Sequence, residues 1–137
     1  MHFLQMAFEK LAKAYLCKAG SDPLKLQSSH GYTAKLLPTI VREQMSLLGK
    51  GAPKNKRFLL RRCKALAREI ELLAPSVDDD GKRPDNCEYP WEAGNRLYVP
   101  AEWSFDHLQL LMEPAGITIL KLLHHAIQRL IGVASTG

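Results

Sequence analysis

The chain opens inside an amphipathic helical pattern, which constrains the fold most because its apolar side needs a partner. In MHFLQMAFEKLAKAYL, apolar residues recur at helical spacing. The stripe predicted to be buried comprises Phe3, Leu4, Ala7, Phe8, Leu11, Ala14 and Tyr15, and the opposite, solvent-facing side carries Gln5, Glu9 and Lys13. No Ser, Thr, Asp or Asn precedes the pattern to cap its first amides, so we expect a first helix truncated at its N-terminus.

Composition predicts one domain over residues 1–137. The chain has 137 residues and 46% hydrophobic content, enough for one compact core. Its 19 basic and 14 acidic residues favour anionic partners without identifying nucleic acid. Cys17, Cys63 and Cys87 are odd in number and far apart, which argues against a disulfide framework and a zinc site. We expect a reducing, cytoplasmic location, no membrane span, no metal and no cofactor.

Two helices are predicted in the first half of the chain. Gly20 and Pro23 end the first helix near Lys18. A second helix closes at Gly49, with Ser28, Ser29 or Thr33 as its cap and with apolar residues Leu36, Leu37, Ile40, Val41, Met45 and Leu48. Pro38 is tolerated only in a first turn, so this helix either begins close to Leu37 or is kinked there.

The clearest pattern is a basic helix from about Asn55 to Ala74, ended by Pro75. Its predicted core side contains Phe58, Leu59, Cys63, Leu66, Ile70 and Leu73, and its opposite side contains Arg57, Arg61, Lys64 and Arg68. These cations either follow a phosphate backbone or form an ordinary solvated face. Arg62 falls on the apolar side, where it either pairs with a carboxylate such as Glu69 or Glu88, or marks an anion pocket or a dimer contact.

A long segment without helical period runs from Pro75 to Trp103 and includes the acidic run 78–80. Its aromatic residues are Tyr89, Trp91, Tyr98 and Trp103, and they either fasten the loop to the bundle or stack bases. The Gly94-Asn95 pair can close a short two-stranded hairpin. Tyr89, Trp91 and Arg96 are the candidate binding residues of this loop.

The chain ends in two more predicted helices. Ser104 caps a short segment with Phe105, Leu108 and Leu111 inward, and Pro114 starts a final helix to about Val133. The apolar residues of that helix cover nearly half its circumference, which indicates two neighbours; they are Ile119, Leu120, Leu122, Leu123, Ala126, Ile127, Leu130 and Ile131. The predicted fold is all-α, an antiparallel up-and-down bundle of four to five helices with a long aromatic loop.

Several segments together resemble the HEPN superfamily of small helical bundles. They are Ala7 to Leu16 with its Glu9-Lys10 pair, His30, Tyr89-Pro90-Trp91, Val99-Pro100-Ala101, Lys121-Leu122-Leu123 and Ala126-Ile127. The resemblance implies a bundle that commonly dimerises. Bundles of this family occur in ribonuclease toxins of toxin–antitoxin systems, in partners of small nucleotidyltransferases and in members without known catalysis. The family's first helix normally has more residues ahead of the Glu-Lys pair.

Catalytic members of the family resemble one another in an Arg followed, after four to six intervening residues, by His. None of His30, His107, His124 and His125 follows an arginine at that spacing, and Arg96 to His107 is too long. A metal-independent nuclease needs an acid or base and a cation, which leaves His30 and His125 as the catalytic candidates. The structural alternative makes His30 and His107 helix caps, His124 a packed boundary residue and His125 solvent-facing.

Three functional hypotheses follow. The first is a HEPN-like binding module for nucleotide, RNA or a partner protein such as a small nucleotidyltransferase, without turnover of its own. The second is a metal-independent endoribonuclease of toxin type that uses His30 or His125. The third is an assembly module whose broad apolar last helix forms a homodimer.

Overall fold

The computed structural model describes residues 2–27, 31–73, 90–93, 95–102 and 108–134. Its elements are α1 (His2–Lys18), α2 (Pro23–Gln27), α3 (Thr33–Leu47), a 3₁₀ turn (Gly49–Gly51), α4 (Lys56–Glu71), β1 (Trp91–Ala93), β2 (Arg96–Tyr98), α5 (Leu108–Met112) and α6 (Pro114–Ala134). The all-α bundle predicted from the sequence is confirmed.

Helix α3 lies at the centre of the bundle and packs against α1, α4 and α6. Its inner residues Leu37, Ile40, Val41 and Met45 are fully buried, as predicted, whereas Leu48 is exposed. Of the two predicted alternatives, a start near Leu37 is wrong, because α3 begins at Thr33 and continues through a buried Pro38, and a kink at Pro38 stays a prediction. Proline has no N–H, so the helix forgoes one backbone hydrogen bond at this position.

The N-terminus of α3 is capped from a distance. Thr33 is the first helical residue rather than the N-cap. The N-cap residue is Tyr32, and its side chain makes no capping hydrogen bond. The carboxylate of Glu71, at the end of α4, accepts a hydrogen bond from the Ala34 amide at 2.8 Å. A negative charge is favourable at this end of a helix, so the contact locks α4 onto α3. Ser28 and Ser29 lie outside the described residues.

The predicted buried stripe of α1 is confirmed in part: Phe8 and Leu11 are buried, and Leu4 and Tyr15 pack partly buried against the core. Phe3 is 85% exposed, however, and Gln5 and Glu9, predicted to face solvent, are buried together with Ala12. The two polar side chains are tolerated inside because they bond to each other, with Gln5 Nε2 donating to Glu9 Oε2 at 3.1 Å. Three further residues differ from the prediction: Ala7 and Ala14 are exposed, and Lys13 is half-buried.

The connection after α1 follows the predicted stop signal. The helix ends at Lys18, and Gly20 adopts a left-handed conformation with a φ of 91°. Pro23 then begins the short helix α2 instead of only ending the previous one. Asp22 caps this helix by accepting a hydrogen bond from the Leu24 amide at 3.0 Å.

The predicted hairpin is confirmed. Strands β1 and β2 pair antiparallel, with Ala93 opposite Arg96. Asn95, which precedes β2, has a φ of 59°, the left-handed conformation that short hairpin turns require and that asparagine tolerates. Tyr89, Trp103, Ser104 and Phe105 lie outside the described residues.

Helices α5 and α6 meet at a tight corner. Pro114 begins α6 as predicted, and the helix runs to Ala134. A Cβ atom added to Gly116 would lie 1.9 Å from the Leu110 carbonyl oxygen, so only glycine fits at this corner. The predicted apolar side of α6 is confirmed in part: Ile119, Leu122, Leu123 and Ala126 are buried, and Leu120 and Leu130 pack partly buried against the core. Ile127 and Ile131 are exposed, so the buried side is narrower than predicted.

Candidate functional site

The four cations predicted on the outer side of the basic helix all lie exposed on α4. We call this surface the cationic face, and it consists of Arg57, Arg61, Lys64 and Arg68. The last is eleven positions after the first, which corresponds to about 16 Å along the helix axis. Helix α4 carries six basic and two acidic residues, so it accounts for most of the net charge of +5 on the whole chain.

The core holds α4 in a fixed rotation about its axis. Leu59, Cys63, Leu66, Ala67 and Ile70 are buried on its inner side. Of the predicted inner residues only Phe58 is substantially exposed, and it lies at the edge of the cationic face. Because the apolar and charged residues fall on opposite sides, burial of one set presents the other set to solvent.

The charge of the cationic face is not neutralised by any ion pair within the described ranges of the chain. In the described part of the chain, no carboxylate oxygen lies within 4.0 Å of a nitrogen of these four side chains. Arg61 instead places its guanidinium carbon 5.9 Å from the centre of the Phe58 ring. This cation–π contact keeps the charge of Arg61 available while restricting its side chain. Glu71, one of the two carboxylates on α4, is engaged at the Ala34 amide.

Arg62 lies apart from the cationic face. Its guanidinium donates to Glu113, the residue just before α6, and its Nε atom is buried with no partner among the described residues. The predicted pairing with a carboxylate is confirmed, but the partner is Glu113 and not Glu69. Glu88 lies outside the described residues. Arg62 therefore ties α4 to the start of α6.

A cavity of about 290 Å³ lies where the N-termini of α4 and α6 approach each other, and its lining includes Asn55, Phe58, Glu113 and Thr118. Helix N-termini attract anions. Here the protein supplies the anion itself, because Glu113 stands at the N-terminus of α6 and is paired with Arg62. This cavity is consequently poorly suited to a phosphate group.

Of the two catalytic candidates, the structure describes only His125. His125 is exposed on α6, as predicted, and His30 and His107 lie outside the described residues. His124 is exposed as well, so its predicted place as a packed boundary residue is wrong. The described residues contain no group of three His, Cys, Asp or Glu side chains able to hold a metal ion.

Among the loop candidates, Arg96 is exposed on β2, with its guanidinium carbon 5.6 Å from the centre of the Tyr98 ring. Tyr89 and the side chain of Trp91 lie outside the described residues, so the aromatic stacking surface predicted for this loop stays a prediction. The hairpin does bring Arg96 and Tyr98 to the same face, because the side chains of residues i and i+2 share a side of a strand.

Sequence reasoning missed a polar cluster between α1 and α3. Lys13 Nζ lies 2.7 Å from Glu9 Oε1, and Gln44 Nε2 donates to the Tyr15 hydroxyl at 3.1 Å. Burial raises the pKa of Tyr15, and the nearby Glu43 carboxylate raises it further. The i, i+4 spacing of Gln5, Glu9 and Lys13 could have indicated this cluster, because side chains four residues apart on a helix can form hydrogen bonds and ion pairs with each other.

No described helix is long and apolar enough to cross a membrane. Comparison of the chain with protein-family models, with curated proteins and with solved structures finds no match.

Proposed function

We propose that this chain is a HEPN-like domain that binds single-stranded RNA through the cationic face of α4, without turnover of its own. The observation that carries the proposal is a row of four exposed cations, on a helix fixed by the core, that form no ion pair with any residue the structure describes. Exposed cations in a row attract a polyanion, and each contact with a phosphate releases counterions.

The composition of the face favours RNA over a compact anion. Three of its four residues are arginines, whose planar guanidinium groups bind phosphate oxygens in pairs and stack on bases. Arg61 already lies against the exposed Phe58 ring, so a base next to it would meet both a guanidinium and an aromatic edge. The row extends over about 16 Å, longer than one mononucleotide's phosphates need.

The test is a binding titration with a short single-stranded RNA at several salt concentrations. If all four cations contact phosphates of a single strand, the logarithm of the affinity falls against the logarithm of salt with a slope of about −3, or about 50-fold between 50 and 200 mM. The variant in which Arg57, Arg61, Lys64 and Arg68 are all Gln is expected to lose this dependence.

A matched control removes four charges elsewhere. Lys10, Lys18, Lys25 and Lys35 are exposed and lie on α1, α2 and α3, so their replacement by Gln lowers the net charge equally while leaving α4 intact. We expect this control to keep most of the affinity and of the salt slope. Absence of RNA binding at low salt, or equal losses in the two variants, would refute the proposal.

The same titration addresses the ribonuclease hypothesis. The RNA recovered from each binding mixture is analysed for chain cleavage, with His125→Ala and His30→Ala proteins alongside. Cleavage that disappears in either variant would replace binding without turnover by catalysis, because an acid or base near neutral pH is what these side chains supply. Intact RNA in all mixtures supports the binding proposal.

A further inference from the structure

The cavity between α4 and α6 lies beside the cationic face, because the exposed Phe58 belongs to the borders of both. Its ring lines the cavity, and the guanidinium carbon of Arg61 lies 5.9 Å from the centre of the same ring. Arg57 directly precedes Phe58 in α4, so two of the four cations stand next to this residue. An RNA strand whose phosphates contact Arg57 and Arg61 therefore passes beside the cavity.

The size and lining of the cavity suit one nucleobase. Its volume of about 290 Å³ lies at the lower end of the roughly 300–1,000 Å³ of small-molecule pockets. Apolar surface comes from Phe58, Leu59 and Ala115, and polar groups come from Asn55, Glu113 and Thr118. A planar, uncharged ring with a polar edge matches such a lining. The carboxylate of Glu113 disfavours a phosphate here, so the phosphates stay on the cationic face and only the base enters.

Two polar side chains of the cavity have hydrogen-bonding capacity that the fold does not use. Asn55 is the N-cap residue of α4, yet its side chain makes no capping hydrogen bond. The Glu113 carboxylate accepts Arg62 on Oε2, and its Oε1 accepts no hydrogen bond from the residues that the structure describes. An ionised carboxylate offers only acceptor sites, about four of them, so the contact with Arg62 leaves room for two further N–H donors.

We infer that the cavity receives a guanine base of the RNA on the cationic face, an inference that rests on the proposed function. Guanine is the standard base whose Watson–Crick edge carries two adjacent donors, the N1–H and the N2 amine, and the Glu113 carboxylate accepts both. The amide of Asn55 supplies a donor for the guanine O6. Stacking on the Phe58 ring adds affinity without choosing among bases, since every base has a flat face.

The Glu113 carboxylate also discriminates against the other three bases. Adenine and cytosine present a ring-nitrogen acceptor beside their amino group, and uracil flanks its single N–H with two carbonyl oxygens. Each of these edges places a lone pair against the carboxylate, where two acceptors face each other without a proton between them. Specificity for guanine therefore comes from an unfavourable contact with the wrong base as well as from a favourable contact with the right one.

The experiment compares single-stranded RNAs of equal length that are all uridine except at one central position. That position is guanosine, adenosine or inosine, which lacks only the N2 amine of guanosine. We expect the guanosine RNA to bind roughly 5- to 100-fold more tightly than the adenosine RNA, the discrimination that one bidentate base contact gives. The inosine RNA should bind more weakly than the guanosine RNA. All three should show the same salt slope, because their phosphates are equal in number.

Glu113→Gln tests the residue that reads the base. An amide carries one acceptor and one donor, which match the N6 amine and the N1 acceptor of adenine. We expect the variant to lose the preference for guanosine and to bind the adenosine RNA at least as tightly. The matched control is Glu102→Gln, which removes the same charge from an exposed residue outside the cavity and should keep the preference.

Phe58→Leu tests the stacking surface. The variant should bind both purine RNAs at least about fivefold more weakly and leave their affinity ratio unchanged, because stacking is shared by all bases. Its control is Phe3→Leu, which replaces an exposed phenylalanine of α1 and should leave both affinities unchanged. Circular dichroism verifies that each variant is folded, and the inosine comparison tests the inference on the unaltered chain.

The outcomes separate this inference from the proposed function. Absence of binding to every RNA at low salt overturns both. Equal affinities for the guanosine and adenosine RNAs, with the salt slope intact, overturn the guanine pocket while RNA binding by the cationic face stands. A guanosine preference that persists in Glu113→Gln, or an inosine RNA that binds as tightly as the guanosine RNA, also overturns the guanine pocket.

Discussion

Helices α4 and α6 share one core but present opposite outer surfaces. Both bury an aliphatic side against α3. The outer side of α4 is a row of cations without an ion pair among the described residues, whereas the exposed side of α6 includes the aliphatic residues Ile117, Ile127 and Ile131. Since the inner sides suffice to hold the bundle together, the outer sides are free to differ. The comparison teaches that the core fixes which residues lie on the inner sides of these helices and leaves the charge and polarity of their outer sides open.

The largest expected effect is a difference in thiol reactivity, which reports how firmly the inner side of α4 is held in the core. Cys63 is buried and Cys17 is exposed. Burial raises the pKa of Cys63 from 9.0 to about 12, so at pH 8 only about one thiol in ten thousand is the reactive thiolate. With an alkylating reagent and mass spectrometry of the peptides, we expect Cys17 to react at least about a thousandfold faster, because Cys63 must await opening of the core.

The control for this measurement is the same reaction in denaturant, where both thiols should react at similar rates. Comparable rates in native buffer would mean that α4 is not held against the core. The claim that its two sides are firmly separated would then fail.

The next effect is the difference in stability loss between a buried and an exposed isoleucine of α6. Ile119 is 1% exposed and Ile117 is 44% exposed, two positions apart on the same helix. Ile119→Ala should lower the free energy of unfolding by about 2–5 kcal/mol through lost burial and a cavity, and Ile117→Ala by less than about 1 kcal/mol. Urea unfolding of both variants makes the measurement. Equal losses would show that Ile117 contributes to the core as much as Ile119 does.

The same two helices show how far the sequence predicts the fold. In α4 the apolar and charged residues are cleanly segregated, so periodicity alone identified the buried set apart from Phe58. In α6 apolar residues cover too wide an arc, and nothing local distinguishes Ile119, which the core covers, from Ile131, which it does not. Burial of a particular apolar residue depends on neighbours far away in the chain, which periodicity does not contain.

In helix α1 the prediction failed for polar residues rather than for apolar ones. Its buried Gln5 and Glu9 were assigned to solvent because isolated polar groups are costly to bury. They lie inside because they satisfy each other and Lys13, a cooperative arrangement that residue-by-residue hydrophobicity misses. For the candidate site, the cationic face was predictable from spacing. The partner of Arg62 was not, because Glu113 is 51 residues away in the chain.

A smaller effect tests the tight corner between α5 and the N-terminus of α6. A methyl group on Gly116 would overlap the Leu110 carbonyl, whereas one on Gly132 would meet open space. Gly116→Ala should therefore cost about 1–3 kcal/mol by forcing the corner apart. Gly132→Ala should instead add up to about 1 kcal/mol, because alanine loses less backbone entropy in a helix. Thermal unfolding of both variants checks the signs, and a stabilising Gly116→Ala would show that the α5–α6 corner is loose.

The smallest effect concerns the contact that links the two helices, the ion pair between Arg62 and Glu113. Both side chains are partly exposed, at 32% and 47%, so solvent screens the pair. Glu113→Gln should lower the free energy of unfolding by less than about 1 kcal/mol, with exposed Glu102→Gln as the control for loss of one negative charge. It should also leave the salt slope of RNA binding unchanged, because Arg62 points away from the cationic face. A loss above about 3 kcal/mol would identify a buried pair. A steeper salt slope would mean that Arg62, once released, joins the phosphate contacts, and α4 would then bind RNA with more than its outer side.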